Sequence, residues 1–119
     1  MGQAKDAVGA YGERVAVDYL VRQGMRLIER NWRCSAGEID AVLQDGDAIV
    51  FTEVKTRRSV GYGTPAEAVG YRKRARLRQL AAIWLTQSHL HTPEIRFDLV
   101  SVQPRRSGAA EIEHVRGAF

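Results

Sequence analysis

The runs Glu38-Ile39-Asp40-Ala41-Val42-Leu43 and Ala48-Ile49-Val50-Phe51-Thr52-Glu53-Val54-Lys55 enclose Asp45-Gly46-Asp47, and no other stretch restricts the fold so tightly. An Asp-Gly step between two apolar-rich runs is a hairpin signal, because glycine readily takes the positive φ that a tight turn demands. Alternation then sorts the side chains by face. Glu38, Asp40 and Val42 share one side; Ile39, Ala41 and Leu43 share the other. On the second strand Glu53 and Lys55 point together, away from Thr52 and Val54. A two-residue turn at Asp45-Gly46 sets Glu38 opposite Glu53 with Asp40 diagonal to it, whereas a turn at Gly46-Asp47 sets Asp40 directly opposite Glu53. Both registers gather Asp40, Glu53 and Lys55 on one face. A three-residue loop or an uncompensated bulge would break that parity.

The rest of the chain supplies helices for this hairpin to pack against. Val8, Tyr11, Val15, Ala16 and Tyr19 recur at spacings of three and four, which predicts an amphipathic helix over residues 6–23 stopped by Gly24. Gly9 and Gly12 weaken its propensity, so close packing on a sheet is the expected reason for them. Residues 27–33 read as a strand. Thr64-Pro65-Ala66-Glu67 has the form of a capping box with proline at the first helical position. The following helix carries an apolar stripe of Leu77, Leu80, Ala81 and Trp84 and ends between Ser88 and Thr92, before Pro93. Residues 95–102 form a further strand and 111–115 a short edge strand. Helix, three strands, helix and then one or two strands in one chain of 119 residues predict a single α/β domain over 1–119, an α/β/α sandwich around a mixed sheet.

Facing carboxylates repel one another, and a hard divalent cation removes the conflict. Mg²⁺ or Mn²⁺ prefers carboxylate, carbonyl and water oxygens, so Asp40, Glu53 and the Val54 carbonyl form a candidate ligand set. Such an ion activates water and stabilises charge on an attacked phosphate, with Lys55 placed to orient the water or pair with phosphate oxygens. Glu13, at the margin of the first helix's apolar stripe, is either a further ligand or a surface glutamate. Charge distribution points the same way. Five acidic residues and no basic one lie between Glu38 and Glu53, and eight basic residues against Glu67 alone lie between Lys55 and Arg78. An acidic focus beside a basic surface suits an enzyme acting on a polyanion. Arg57, Arg58, Arg72, Lys73, Arg76 and Arg78 are the candidate phosphate contacts. Tyr62 is either a base-stacking residue or a loop anchor.

These residues resemble the YraN/UPF0102 family of small bacterial proteins. The matching stretches are Gly12-Glu13 with Ala16, Leu20 and Gly24; Asn31-Trp32-Arg33; Gly37-Glu38-Ile39-Asp40; Phe51 to Arg57; Gly63 to Val69; Lys73; and Arg96-Phe97-Asp98. They span roughly residues 9–102. Gly-Glu-Ile-Asp together with Glu-Val-Lys-Thr-Arg is specific, whereas Asp followed by Glu-x-Lys alone is weak. That family is similar in turn to restriction-endonuclease-like folds and archaeal Holliday-junction resolvases. The resemblance implies a restriction-endonuclease-like fold and a metal-dependent endodeoxyribonuclease acting on branched or structured DNA. Its site roles fall on Asp40, Glu53, Lys55 and Glu13, with Asp40, Glu53, Val54 and Glu13 toward the metal. A resolvase-like reaction further implies a homodimer, since two strands are cut. The rival reading is a noncatalytic nucleic-acid-binding accessory protein that keeps the same fold.

Other chemistries find little support. Cys34 is the only cysteine, which excludes an intrachain disulfide or a zinc–thiolate cluster and fits a reducing compartment. His89 and His91 have only Glu94 nearby, too few groups for a histidine metal site. Neither Gly61-Tyr62-Gly63 nor the segment from Gly9 to Gly12 matches a phosphate-binding loop. No apolar stretch has the length of a signal peptide or membrane span, so a cytoplasmic location and no membrane partner are expected. Asp98 lies in a predicted strand and is left outside the active set.

Overall fold

The computed structural model describes residues 7–57, 70–90 and 94–119. Its elements run α1 (Ala7–Arg22), β1 (Arg26–Cys34), β2 (Gly37–Asp45), β3 (Ala48–Thr56), α2 (Tyr71–Ser88), β4 (Glu94–Gln103) and β5 (Glu111–Val115). The five strands form one sheet in sequence order. Antiparallel pairs flank a central parallel pair, β3 with β4. A parallel pair cannot be joined by a tight turn, and the chain between these strands contains α2 as the crossover.

Alternation along the strands places the two helices on opposite faces. Ala41, Leu43, Val100 and Val102 pack with Ala16, Val17 and Leu20 of α1. Val42, Ile49, Phe51 and Phe97 pack with Leu77, Leu80, Ala81 and Trp84 of α2. Neighbours such as Ala41 and Val42 therefore feed different cores, as a two-sided sheet requires. Ile39 is the exception to strict alternation and joins the α2 cluster. The predicted α2 stripe is entirely buried, and Trp84 Nε1 donates to Glu29 Oε1 at 3.0 Å, giving the ring's polar atom a partner. The structure is thus the expected α/β/α sandwich on a mixed sheet. The proposed capping box at 64–67 lies outside the described residues, and the described part of the helix starts after Gly70.

The hairpin register settles the two alternatives. Asp45 pairs with Ala48 across Gly46 and Asp47, and the ladder continues as far as Ala41 with Thr52. Gly46 has φ +60°, the left-handed conformation that a two-residue turn imposes. β1 is less regular: its pairing slips between Leu27 and Glu29, and Asn31 adopts φ +52°.

Gly12 shows why the first helix accepts a poor helix former. A methyl group there would fall inside the contact shell of Thr56 Oγ1 on β3. Gly12→Ala is expected to push α1 off the sheet and cost about 1–3 kcal/mol, as overpacking does. A chemical-denaturation curve of the variant checks this, with an unchanged midpoint counting against the close approach.

Candidate metal and phosphate site

Asp40 and Glu53 come from adjacent antiparallel strands, and both line a hollow of about 510 Å³ between the sheet and α2. Gly37 and Glu38 also line it, and Arg72, Lys73 and Arg76 of α2 form its basic wall. The β2–β3 backbone ladder stops one residue short of the carboxylates. At that point the Asp40 side chain takes over, with Oδ2 accepting the Val54 amide at 2.8 Å. Asp40 is 8% exposed, so this bond fixes a carboxylate at the floor of the hollow. Glu53 meets Lys73 across it, with Oε1 2.6 Å from Nζ.

The remaining sequence candidates are dispersed. Lys55 is exposed on β3, two residues beyond Glu53, and is not among the residues lining the hollow. Glu13 is buried in α1 and lines a second hollow of about 330 Å³ with Arg14, Arg30, Asn31 and Arg33. The geometry thus gathers Asp40 and Glu53 and places Glu13 in a separate recess. Arg33 and Glu38 form an ion pair at 3.0 Å. Since Arg33 lines one recess and Glu38 the other, this pair links them at the end of the β1–β2 hairpin. Of the basic candidates, Arg72, Lys73 and Arg76 reach the first hollow. Arg78 instead lies over the Phe97 ring, 5.1 Å from its centroid. The Arg57 amide donates to Val102 O at 2.8 Å, extending the β3–β4 pairing past Thr56. Arg58 and Tyr62 lie outside the described residues.

Sequence reasoning passed over two features. The arginines of the second hollow come from α1 and β1, too far apart in sequence to show a common recess. Asp98 was more legible, because a carboxylate inside Phe97-Asp98-Leu99-Val100 needs partners when buried. It has them. Arg96 Nε and Nη2 donate to its two oxygens at 2.8 and 3.0 Å. The Gly117 amide donates at 3.1 Å, and His114 Nε2 lies 2.8 Å away. An ionised carboxylate only accepts, so the imidazole is the donor in that contact. Burial pushes the Asp98 carboxyl up, but the bonds from His114, Arg96 and Gly117 outweigh it and hold the carboxyl at about 2. Thr52, its partner across β3 and β4, alternates with Glu53, so this network sits on the α1 side, away from the carboxylate hollow.

Among the described residues, no group of three or more His, Cys, Asp and Glu side chains gathers closely enough to cage a metal ion. Asp40 and Glu53, with Glu38 turned to Arg33 in the same hollow, suit a different kind of site. Mg²⁺ keeps several waters and commonly takes one or two carboxylates together with substrate phosphates. Asp40 and Glu53 fit that donor set, and the arginines beside them fit the phosphate.

Comparison with known proteins places this arrangement in a family. The family described as "Uncharacterised protein family UPF0102" matches residues 12–102. The chain belongs to UPF0102. A UPF0102 protein of Beutenbergia cavernae is 55% identical, covering 97% of this chain and 98% of its own. One from a Nocardioides species is 56% identical over 95% of this chain and 91% of its own. Among solved structures, Pyrococcus furiosus SfsA in complex with Ca²⁺ aligns over 88% of this UPF0102 chain and 60% of its own. Its TM-score is 0.37 and its identity 15%, a likeness too distant to bear on function. No helix among the described residues of this UPF0102 protein is long and apolar enough to cross a membrane.

Proposed function

We propose that this UPF0102 protein is a Mg²⁺- or Mn²⁺-dependent endodeoxyribonuclease acting on branched or structured DNA. The observation that carries the reading is the shared hollow of Asp40 and Glu53, walled by Arg72, Lys73 and Arg76. A phosphodiester needs positive charge along its backbone and a concentrated cation at the bond that breaks. The basic wall meets the first need and the carboxylate pair the second. When bound, the metal supplies Lewis-acid stabilisation of the attacked phosphate and a water of lowered pKa. Asp40, held by the Val54 amide, is the pre-positioned ligand. Glu53 is the second, and the Val54 carbonyl is the backbone candidate. Lys55, exposed on β3 two residues beyond Glu53, serves toward water or phosphate, and Glu13 belongs to the flanking recess. The branched-DNA preference rests on the resemblance to resolvases, as does a homodimer that cuts two strands.

Purified protein incubated with Mg²⁺ or Mn²⁺ and a panel of duplex, single-stranded, flap and four-way DNA tests the reading. Cleavage that needs the metal, Asp40 and Glu53 supports it. Equal product from wild type, Asp40→Asn and Glu53→Gln would remove it. Tight metal-independent binding without cleavage would favour the accessory-protein alternative, which the existing Lys73–Glu53 pair accommodates.

The basic wall makes a separate prediction. Arg76→Ala is expected to weaken DNA binding uniformly across substrates and lower the slope of log affinity against log salt by about 1, the loss of one phosphate contact. Fluorescence anisotropy at several salt concentrations measures it, and an unchanged slope places the phosphate path elsewhere.

A further inference from the structure

We propose that Lys73 is a built-in counter-cation of the carboxylate hollow, one that a divalent metal must displace from Glu53 and that then turns to the substrate phosphate. The inference rests on the metal site proposed above and adds its regulation. The Glu53 side chain is 12% exposed and has Lys73 Nζ at 2.6 Å. A carboxylate so enclosed needs positive charge against it, and here the chain itself supplies that charge.

The placement of Lys73 argues against an incidental surface contact. It lies in the first turn of α2, three residues after the N-cap Gly70, in a turn with no acidic residue and with arginines on both sides. A cation at a helix N-terminus opposes the helix dipole. Lys73 therefore occupies an unfavourable position unless a carboxylate offsets it, and Glu53 does so.

An ammonium and a divalent cation cannot share Glu53 cheaply. At about 4 Å, like charges in a half-buried setting repel one another strongly. The metal therefore binds only as Lys73 leaves. Leaving is easy, because the lysine side chain is 47% exposed and its four-carbon stem is flexible. The released ammonium stays among Arg72 and Arg76 on the wall of the same hollow, where a phosphate would receive it. Metal and polyanion thus assist one another: the anion draws Lys73 off Glu53, and the metal releases Lys73 toward the anion.

Mn²⁺ titrations of the full chain without DNA, read from the electron paramagnetic resonance signal of free Mn²⁺, test this directly. Lys73→Met is expected to bind Mn²⁺ about three- to tenfold more tightly than wild type, the scale of one partly exposed ion pair with added repulsion. Lys73→Arg, which keeps the charge, is expected to match wild type. Lys73→Gln drops the charge but keeps a donor for Glu53, and it should shift in the same direction as Lys73→Met should the latter fold poorly by circular dichroism. Wild-type binding that depends on Asp40 and Glu53 but is unchanged or weaker in folded Lys73→Met and Lys73→Gln overturns this inference alone. Absence of Mn²⁺ binding in wild type and in every Lys73 variant, or binding indifferent to Asp40→Asn and Glu53→Gln, overturns the metal site itself, and the inference with it.

Discussion

Asp40→Asn is expected to lower metal-dependent DNA cleavage by about 10²–10³-fold, the scale of losing a pre-positioned electrostatic group at a reacting centre. Binding to the same DNA should persist, because the proposed phosphate contacts are Arg72, Lys73 and Arg76. Asparagine is the informative replacement. Its amide oxygen can still accept the Val54 N–H that Asp40 Oδ2 accepts at 2.8 Å, so the β2–β3 hairpin keeps its clasp while the ligand loses its charge. Asp40→Ala would confound the result by leaving a part-buried amide unpaired, at about 1–3 kcal/mol. Single-turnover cleavage with anisotropy on the same samples separates rate from affinity. Loss of both together would mean that Asp40 supports the fold rather than the chemistry.

Asp98 gives the second large effect, on stability instead of rate. Its carboxylate is fully buried and joined to Arg96, His114 and Gly117. Removing it by Asp98→Ala leaves Arg96 with Asp45 as its carboxylate partner and takes the acceptor from a buried imidazole donor on the α1 side of the sheet. The expected loss is about 3–5 kcal/mol, as for breaking one partner of a buried charged pair. The pH dependence has a definite sign. The folded carboxyl sits at about 2, below its ordinary 3.8. The unfolded chain therefore takes up the proton first on acidification, and the stabilisation is complete above pH about 4. It fades as pH falls through the interval down to about 2, for a total of about 2–3 kcal/mol from this group. Asp98→Asn should flatten that part of a plot of unfolding free energy against pH. Urea melts between pH 2 and 5 measure it, and parallel curves for variant and wild type would show that Asp98 does not carry the acid sensitivity.

The elements were legible where one period governs a whole segment. The alternation of Ala41-Val42-Leu43 and the spacing of Leu77, Leu80, Ala81 and Trp84 each name a buried face, and both faces are buried as expected. The turn chemistry at Asp45-Gly46-Asp47 left two registers open. Only pairing geometry chose between them, because a one-residue change in the turn costs little locally yet changes which residues face each other. The carboxylate pair was legible for the same local reason, since Asp40 and Glu53 sit on strands joined by one short turn. Lys73 was counted as a phosphate contact, and its ion pair with Glu53 went unseen. That contact depends on how far the crossover carries α2 along the sheet, which no sequence period encodes. Arg78 was grouped with its neighbours by charge, although its place on the helix turns it over Phe97. Asp98 falls outside the carboxylate cluster although β4 lies directly beside β3. Alternation, not distance, puts it on the other face.

The irregular outer strand β1 also governs how two copies can meet. Its slipped pairing between Leu27 and Glu29 and the left-handed Asn31 interrupt the even row of amides and carbonyls that another strand would need. Exposed Arg26, Glu29 and Arg30 set charged side chains along the same border. Sheets of neighbouring molecules are therefore kept from zipping into one continuous ribbon. The opposite border, β5, is only five residues long and carries exposed Glu111 and Glu113. The proposed twofold assembly is therefore expected to join through helices or loops rather than through either sheet margin.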